Sequence, residues 1–249
     1  MVRISPRLPT RAYEDIVRDH GGDAAAEHLY VRRRADTCHR RLIVIISTHN
    51  EGRRFAGLVD AYSLLDADLL FIRDEANSYY LRADRGAAFD ALVRTIAEPY
   101  APDQILFFGS SMAGYAALRY ALMLDANAVL SNPQVSVTAS APLGWTELRR
   151  NIERIAEPHD LGDGEFADRA CAITLLHSRH PMDVENTRLF FDLYRRHPGL
   201  ALLTVHADET DHKYLIPDFQ SFLLFVRRTY ELRRLRTKVV RWGRVPKNK

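Results

Sequence analysis

The chain has 249 residues, of which 47% are hydrophobic and 27% are charged, and it contains two cysteines. This length and composition fit one large soluble α/β domain that can bury most of its apolar surface. No window is apolar for long enough to span a bilayer, and the first residues lack the apolar core of a secretory signal. Two cysteines make no disulfide framework, so we expect a cytoplasmic protein in which Cys171 is a small buried hydrophobe.

The net charge of +3 is distributed unevenly along the chain. Residues 227–249 contain ten Lys or Arg and one acid, a charge of +9, which leaves −6 for residues 1–226. The sequence therefore predicts a body over residues 1–226 and a basic C-terminal helix or tail over residues 227–249. Such a tail suits either a solvated helix face or an anionic partner, which is a membrane surface, a polyanionic glycan or a nucleic acid. Among anionic partners we expect a membrane surface and no nucleic acid.

Seven short apolar runs, most of them without two-residue alternation, predict strands buried on both faces. In chain order they are residues 27–32, 42–47, 68–72, 105–108, 128–130, 172–176 and 200–205. Helical patterns lie between most of them, at residues 87–97, 112–124, 146–156 and 184–196, and a last helix starts near Asp218. This alternation predicts an α/β fold with a mainly parallel, doubly wound sheet.

Two segments do not follow this alternation. Residues 132–169 contain prolines and glycines, one short predicted helix and no strand, which is typical of a lid-like insertion over a pocket. Residues 1 to about 22 are predicted to form an N-terminal helix or to be loose.

The segment after the fourth strand carries the strongest chemical signal. Gly109-Ser110-Ser111-Met112-Ala113 lies between a strand and a helix and differs by one residue from the Gly-x-Ser-x-Gly nucleophile elbow. That turn is so tight that the residues two before and two after the serine must be small. We therefore predict Ser111 as a nucleophile, with a serine that only caps the helix as the alternative.

Active hydrolases of this design supply their partners in the chain order serine, acid, histidine, at the carboxyl ends of strands. Asp183 follows the sixth strand and His212 follows the seventh, so we predict them as acid and base. Asp183 also suits an N-cap of the following helix. The rival residues are Asp208, Asp211 and His206.

The tetrahedral intermediate of such a reaction needs two N–H donors. The N–H of Met112, directly after the nucleophile, is the first predicted donor. The loop after the second strand supplies the other, from Thr48 or His49.

Polar and aromatic side chains near predicted strand ends are candidate substrate contacts. Asp74 and Asn77 follow the third strand, Gln134 follows the fifth, and Trp145 lies in the insertion, where it would stack on a sugar ring.

Metal and cofactor chemistry has little support in the sequence. His177, His180 and Asp183 resemble a ligand cluster, but no His-Glu-x-x-His or paired cysteine motif accompanies them. No glycine-rich phosphate loop is present either. We expect no metal and no cofactor.

Residues 108–118 resemble the elbow of the α/β-hydrolase superfamily, and in particular that of a bacterial subgroup that accompanies surface-polysaccharide or glycoprotein-export machinery. Residues 70–80 are also similar to a segment of that subgroup. The resemblance covers about residues 42–225, with the elbow as its specific part, and Ala113 departs from the more common glycine.

We expect an α/β-hydrolase-like domain over residues 1–226, and the resemblance implies Ser111 as nucleophile, His212 as base and Asp183 as acid. It also implies acyl-ester hydrolysis or acetyl transfer on sugars, which some members of the subgroup perform. The leading hypothesis is therefore a serine esterase or acyltransferase acting on a small or carbohydrate-linked acyl ester. Peptide or amide hydrolysis is a further use of the same triad.

The alternative hypothesis is a non-catalytic adaptor of the same fold that binds a membrane surface or a polysaccharide synthase through its basic tail. Apolar residues share one face of the predicted last helix at Phe222, Val226, Tyr230 and Leu235.

Overall fold

The structure is a computed structural model that describes residues 11–21, 26–32, 41–49 and 54–242, with side chains as far as Arg236. Within these residues seven strands form one sheet in the order β1-β3-β2-β4-β5-β6-β7. The strands are β1 (His28–Val31), β2 (Leu42–Ile46), β3 (Asp68–Ile72), β4 (Ile105–Ser110), β5 (Asn127–Ser131), β6 (Ala172–His177) and β7 (Ala201–His206). β1 runs antiparallel to β3, and the other five pairs are parallel. All seven predicted strands are confirmed.

The described helices are α1 (Tyr13–Asp19), α2 (Leu58–Leu64), α3 (Ala87–Ala97), α4 (Met112–Leu124), α5 (Val137–Ser140), α6 (Thr146–Glu153), α7 (Asp163–Phe166), α8 (Pro181–Arg196) and α9 (Phe219–Trp242). α3 and α4 have the predicted bounds. α2 was not predicted, because seven residues are too few to establish a helical period. The N-terminal prediction is met in part by α1, and residues 1–10 lie outside the described residues.

The core has two layers, one on each face of the sheet. In β2 the side chains of Leu42 and Val44 join the layer under α3 and α4, whereas Ile43 and Ile45 join the layer under α1, α2 and α9. Alternate residues of a strand point to opposite faces, so a fully apolar run is required where helices cover both. The doubly wound α/β class is confirmed.

The insertion at residues 132–169 contains three α-helices and a short 3-10 helix (Ala141–Leu143) rather than the single helix predicted, and it contains no strand among its residues, all of which are described. The two additional α-helices, α5 and α7, have four residues each. Helices this short carry no periodic signal, and a local cap defines one of them. The Ser136 hydroxyl accepts from the N–H of Ala139 at 2.9 Å at the start of α5.

Helix α9 crosses the predicted boundary between residues 226 and 227 without interruption. Its apolar face packs on the sheet: Val226 is fully buried, Thr229 hydrogen-bonds Thr174 at 2.7 Å, and the Tyr230 hydroxyl donates to the Gln104 carbonyl at 3.2 Å. Val226 and Phe222 belong to the core, so these two residues of the face are not exposed to a membrane or a partner. Of the four predicted apolar positions, Leu235 is exposed.

Among the described helices, none combines the length and the apolar character that a membrane crossing requires.

Candidate active site

Ser111 lies at a sharp turn between β4 and α4. Its backbone has φ 55° and ψ −121°, which is rare for a residue with a side chain and stores strain that the neighbouring packing must hold. A Cβ added at Gly109 would lie 2.2 Å from the Ala113 carbonyl oxygen, so only glycine fits there. One added at Gly114 would lie 2.7 Å from the Cα of Pro133. The predicted need for small residues around the serine thus has a direct steric cause.

The structure brings the three predicted triad residues into one hydrogen-bonded chain. The Ser111 Oγ lies 2.7 Å from His212 Nε2, and His212 Nδ1 lies 2.6 Å from Asp183 Oδ1. Asp183 is 2% exposed, so its carboxylate interacts with His212 in a site from which water is largely excluded. The serine, histidine and carboxylate are therefore in the order that proton transfer from the hydroxyl requires.

Asp183 has a second partner that the sequence analysis did not single out. The Ser178 Oγ donates to Asp183 Oδ2 at 2.5 Å, so both carboxylate oxygens are bound and the orientation of the side chain is fixed. The capping alternative for Asp183 does not hold. His180 caps α8 by accepting from the N–H of Met182 at 3.3 Å, and Asp183 lies inside the helix.

Hydrogen bonds from the end of β5 hold the segment that carries His212. The Asn132 side-chain amide donates to the Lys213 carbonyl at 2.8 Å, and the Ser131 hydroxyl accepts from the N–H of Leu215 at 3.1 Å. Sequence reasoning missed both residues, since their partners are more than 80 positions away. Two of the rival residues have other partners: Asp208 pairs with Arg179 at 2.8 Å, and His206 faces His177.

Gln134 contacts the candidate nucleophile itself. Its Nε2 donates to the Ser111 Oγ at 3.2 Å, and its Oε1 accepts a hydrogen bond from the Tyr79 hydroxyl. A phenol that donates to the oxygen leaves the amide nitrogen facing the serine, so Tyr79 sets the orientation of Gln134. Both side chains are fully buried.

The predicted oxyanion donors belong to two segments, the start of α4 and the loop after β2. Met112 is the first residue of α4, and the N–H groups at a helix N-terminus favour negative charge. In the second segment, the Thr48 hydroxyl donates to the Ser110 carbonyl at 2.8 Å, which holds the loop after β2 against the elbow. Burial lowers the pKa of His49, next in that loop, so its imidazole is neutral at pH 7.

The insertion places Trp145 above these groups. Its ring centroid lies 5.5 Å from that of His212 and 5.7 Å from that of His49, and 39% of the residue is exposed. An exposed indole beside the candidate base offers a flat surface for a ligand.

Asp74 and Asn77 occupy the loop between β3 and α3. Asp74 Oδ2 accepts from the N–H of Ser78 at 2.6 Å and from the N–H of Tyr80 at 3.1 Å, and its Oδ1 accepts from the N–H of Ala76 at 3.2 Å. Asn77 has φ 51°. The carboxylate of Asp74 thus shapes the loop that carries Tyr79, and substrate binding by Asp74 and Asn77 stays a prediction.

One group of metal-ligand side chains overlaps the triad. Donor atoms of His180, Asp183 and His212 lie within 4.8 Å of one another. In the triad the Nδ1 of His212 and the Oδ1 of Asp183 are already bonded to each other. His177, from the predicted cluster, instead pairs with His206 across the sheet at 3.4 Å.

The sheet order, the elbow and the triad geometry define a class. A parallel sheet with an antiparallel strand at one edge, and a strained serine between the central strand and its helix, is the α/β-hydrolase arrangement. Solved structures of that class match this chain across most of its length, so the chain has the α/β-hydrolase fold.

Three of these structures illustrate the match. The capsule O-acetyltransferase of Neisseria meningitidis serogroup A superimposes with a TM-score of 0.60 at 12% identity, over 83% of this chain and 90% of that one. Esterase B of Lactobacillus rhamnosis gives 0.57 at 9% identity, over 87% and 84%. S-formylglutathione hydrolase of Staphylococcus aureus gives 0.52 at 15% identity, over 83% and 91%. The sequence matches no protein-family model and no curated protein.

Proposed function

We propose that this protein is a serine esterase or acyltransferase that acts on an acyl ester. The observation that carries the proposal is the continuous hydrogen-bonded chain from Ser111 through His212 to Asp183, built at a strained elbow. The known activities of proteins with the same fold, hydrolysis of esters and O-acetyl transfer, agree with it.

In the first half of the reaction, the Ser111 Oγ attacks the ester carbonyl carbon while His212 Nε2 accepts the serine proton. The negative charge that develops on the carbonyl oxygen is stabilised by the N–H of Met112 and by an N–H of Thr48 or His49. Asp183 holds the imidazole in the tautomer with a proton on Nδ1 and stabilises the imidazolium. The ester bond then breaks, and the leaving alcohol takes the proton from His212.

In the second half, an acceptor hydroxyl attacks the acyl group on Ser111 and transfers its proton to His212 Nε2. The serine oxygen then leaves and regains that proton. Water as acceptor gives hydrolysis, and a sugar hydroxyl gives transfer. Trp145 supports a carbohydrate as one partner, because its exposed indole lies beside His212 and sugar rings stack on such surfaces. We therefore propose a carbohydrate-linked ester as the substrate, used in polysaccharide biosynthesis.

Turnover of p-nitrophenyl esters by purified variants tests this function. Ser111→Ala and His212→Ala are expected to lower kcat by at least about a thousandfold, because each removes a group that takes part in bond formation. Ser63→Ala, a buried serine of α2, is the matched control and is expected to keep wild-type turnover. Wild-type turnover in Ser111→Ala would refute the assignment.

We also propose that the basic C-terminal segment holds the protein at an anionic membrane surface, on the cytoplasmic side. Its charge of +9 supports an electrostatic contact, and the burial of the apolar face of α9 argues against insertion into the bilayer. An adaptor without catalytic activity would use the same surface.

Vesicle flotation tests the membrane contact with a deletion of residues 237–249, which removes five Lys or Arg. This deletion spares the contacts of Thr229, Tyr230 and Arg233 with the body. The full chain should float with phosphatidylserine vesicles at low salt and dissociate from them at high salt. The deletion variant should float less than the full chain at low salt. Equal flotation with phosphatidylcholine vesicles would count against the proposal.

A further inference from the structure

A cavity of about 420 Å³ lies at the carboxyl ends of β2 and β4, between α2 and the start of α9. Its size falls in the range of small-molecule pockets. The sheet contributes Ile45 and Phe108, and the segment before and inside α9 contributes Ile216 and Phe222. These side chains make the interior of the cavity apolar.

The cavity borders the segments that carry the reacting groups. Ser110 lines it and directly precedes Ser111, and Thr48, from the oxyanion loop, lines it beside Ser110. Tyr214, two residues beyond His212, lines it as well. The lining of the cavity therefore includes residues that lie next to Ser111 and close to His212 along the chain.

This cavity is separate from the surface that Trp145 forms. Trp145 belongs to the insertion and contacts the rings of His49 and His212, whereas the cavity is walled by α2 and α9. An ester has two parts, an acyl group and an alcohol. Two regions of different character beside one nucleophile suit two parts of different chemistry.

The charges around the cavity restrict what it can hold. Asp60 and Asp218 line it with exposed carboxylates. The N–H of Ser221 donates to Asp218 Oδ1 at 2.7 Å and keeps the pKa of Asp218 below its usual value, so this group is ionised at neutral pH. Two negative charges disfavour an acyl group that ends in a carboxylate.

Resting on the proposed function, we propose that this cavity binds the acyl part of the substrate and selects uncharged, apolar acyl chains longer than acetyl. The alcohol then lies on the Trp145 side. Each methylene placed in an apolar cavity is expected to raise kcat/KM by about fourfold until the cavity is full.

The test compares p-nitrophenyl acetate, butyrate and hexanoate, with the hemisuccinate as the charged analogue. In the wild type, kcat/KM should rise from acetate to hexanoate, and the hemisuccinate should be at least about tenfold poorer than butyrate. Ala56→Phe places a ring in the cavity and should abolish most of the preference for hexanoate over acetate, measured as the ratio of their kcat/KM values. Phe219→Ala enlarges the cavity and should shift the preference to longer chains. Ala88→Phe, on the exposed start of α3, is the matched control and should keep the wild-type ratio.

The outcomes separate this inference from the proposed function. If turnover depends on Ser111 but the hexanoate-to-acetate ratio of kcat/KM is the same in the wild type and in Ala56→Phe, the acyl assignment is wrong and the esterase assignment stands. If no ester is turned over, calorimetry on Ser111→Ala still tests the cavity. The acyl assignment is supported if Ser111→Ala binds the hexanoate more tightly than the acetate and this difference is lost when Ala56→Phe is added. Equal binding of the two esters overturns the assignment.

Discussion

The contact between Gln134 and Ser111 shows how a single residue changes its interpretation once its partners are known. In the sequence, Gln134 is a polar residue after the fifth strand, a position that predicts a substrate contact. In the structure its amide nitrogen lies 3.2 Å from the candidate nucleophile, and Tyr79 holds its oxygen. No spacing rule predicts this contact, because the three residues come from three separate loops. Gln134 is therefore a candidate positioning residue for Ser111.

We expect Gln134→Leu to lower kcat by roughly tenfold with a smaller effect on KM, because one hydrogen bond to the nucleophile is lost. Tyr79→Phe should produce a smaller loss, since the amide remains but its orientation is no longer fixed. The loss of activation free energy in the double variant should be smaller than the sum of the losses in the two single variants, because both residues act through one hydrogen-bonded chain. Steady-state kinetics on the four proteins measure this coupling. Fully additive effects, or a loss confined to KM, would contradict the positioning role.

At the scale of elements, the parallel strands were predictable and several loops were not. A run such as β2, with Leu42 to Ile46 all apolar and largely β-branched, allows few other interpretations. The elbow was equally clear, since steric limits on Gly109 and Ala113 appear directly in the sequence. The loop between β3 and α3 was not, because it places Tyr79 and Tyr80 at φ 59° and 61°. Tertiary contacts hold these conformations against the local preference.

The pair β6 and β7 carries a pH-sensitive contact. His177 and His206 are direct partners in the sheet, with their Nδ1 atoms 3.4 Å apart. Burial, and then the charge of His206, lowers the pKa of His177, while a hydrogen bond that the imidazole makes to the backbone of Ser178 and the charge of Asp183 act in the opposite direction. A lowered folded-state pKa means that the unfolded chain binds this proton more tightly. Titration of His177 therefore does not lower the free energy of unfolding above about pH 6.5, and it lowers that free energy progressively as the pH falls below this value.

We expect the melting temperature of the wild type to fall between pH 7.5 and pH 5.5, and His206→Gln to show a smaller fall. The substitution removes the neighbouring positive charge and leaves burial as the main cause. His28→Gln, at the exposed start of β1, is the matched control. Thermal unfolding followed by circular dichroism at both pH values measures the difference. Identical falls in the wild type and His206→Gln would show that the pair does not contribute.

At the scale of the whole molecule, the candidate site exists only because four strands end at one edge of the sheet. Ser111 follows β4, Gln134 follows β5, Asp183 follows β6 and His212 follows β7. The order of the triad along the chain was predictable from the elbow and the strand pattern. The supporting contacts of Ser178 and Asn132 were not, since they depend on how the loops pack. The basic segment was predictable in charge but not in packing, because periodicity does not say which partner a helix face meets.

In the proposed mechanism, His212 activates Ser111. Labelling with a fluorophosphonate probe, followed by peptide mapping in a mass spectrometer, tests it most directly, because the probe reacts only with an activated nucleophile. The adduct should lie on Ser111 in the wild type, and its rate of formation should fall at least about a hundredfold in His212→Ala. An adduct on another residue, or an unchanged rate in His212→Ala, would contradict the account.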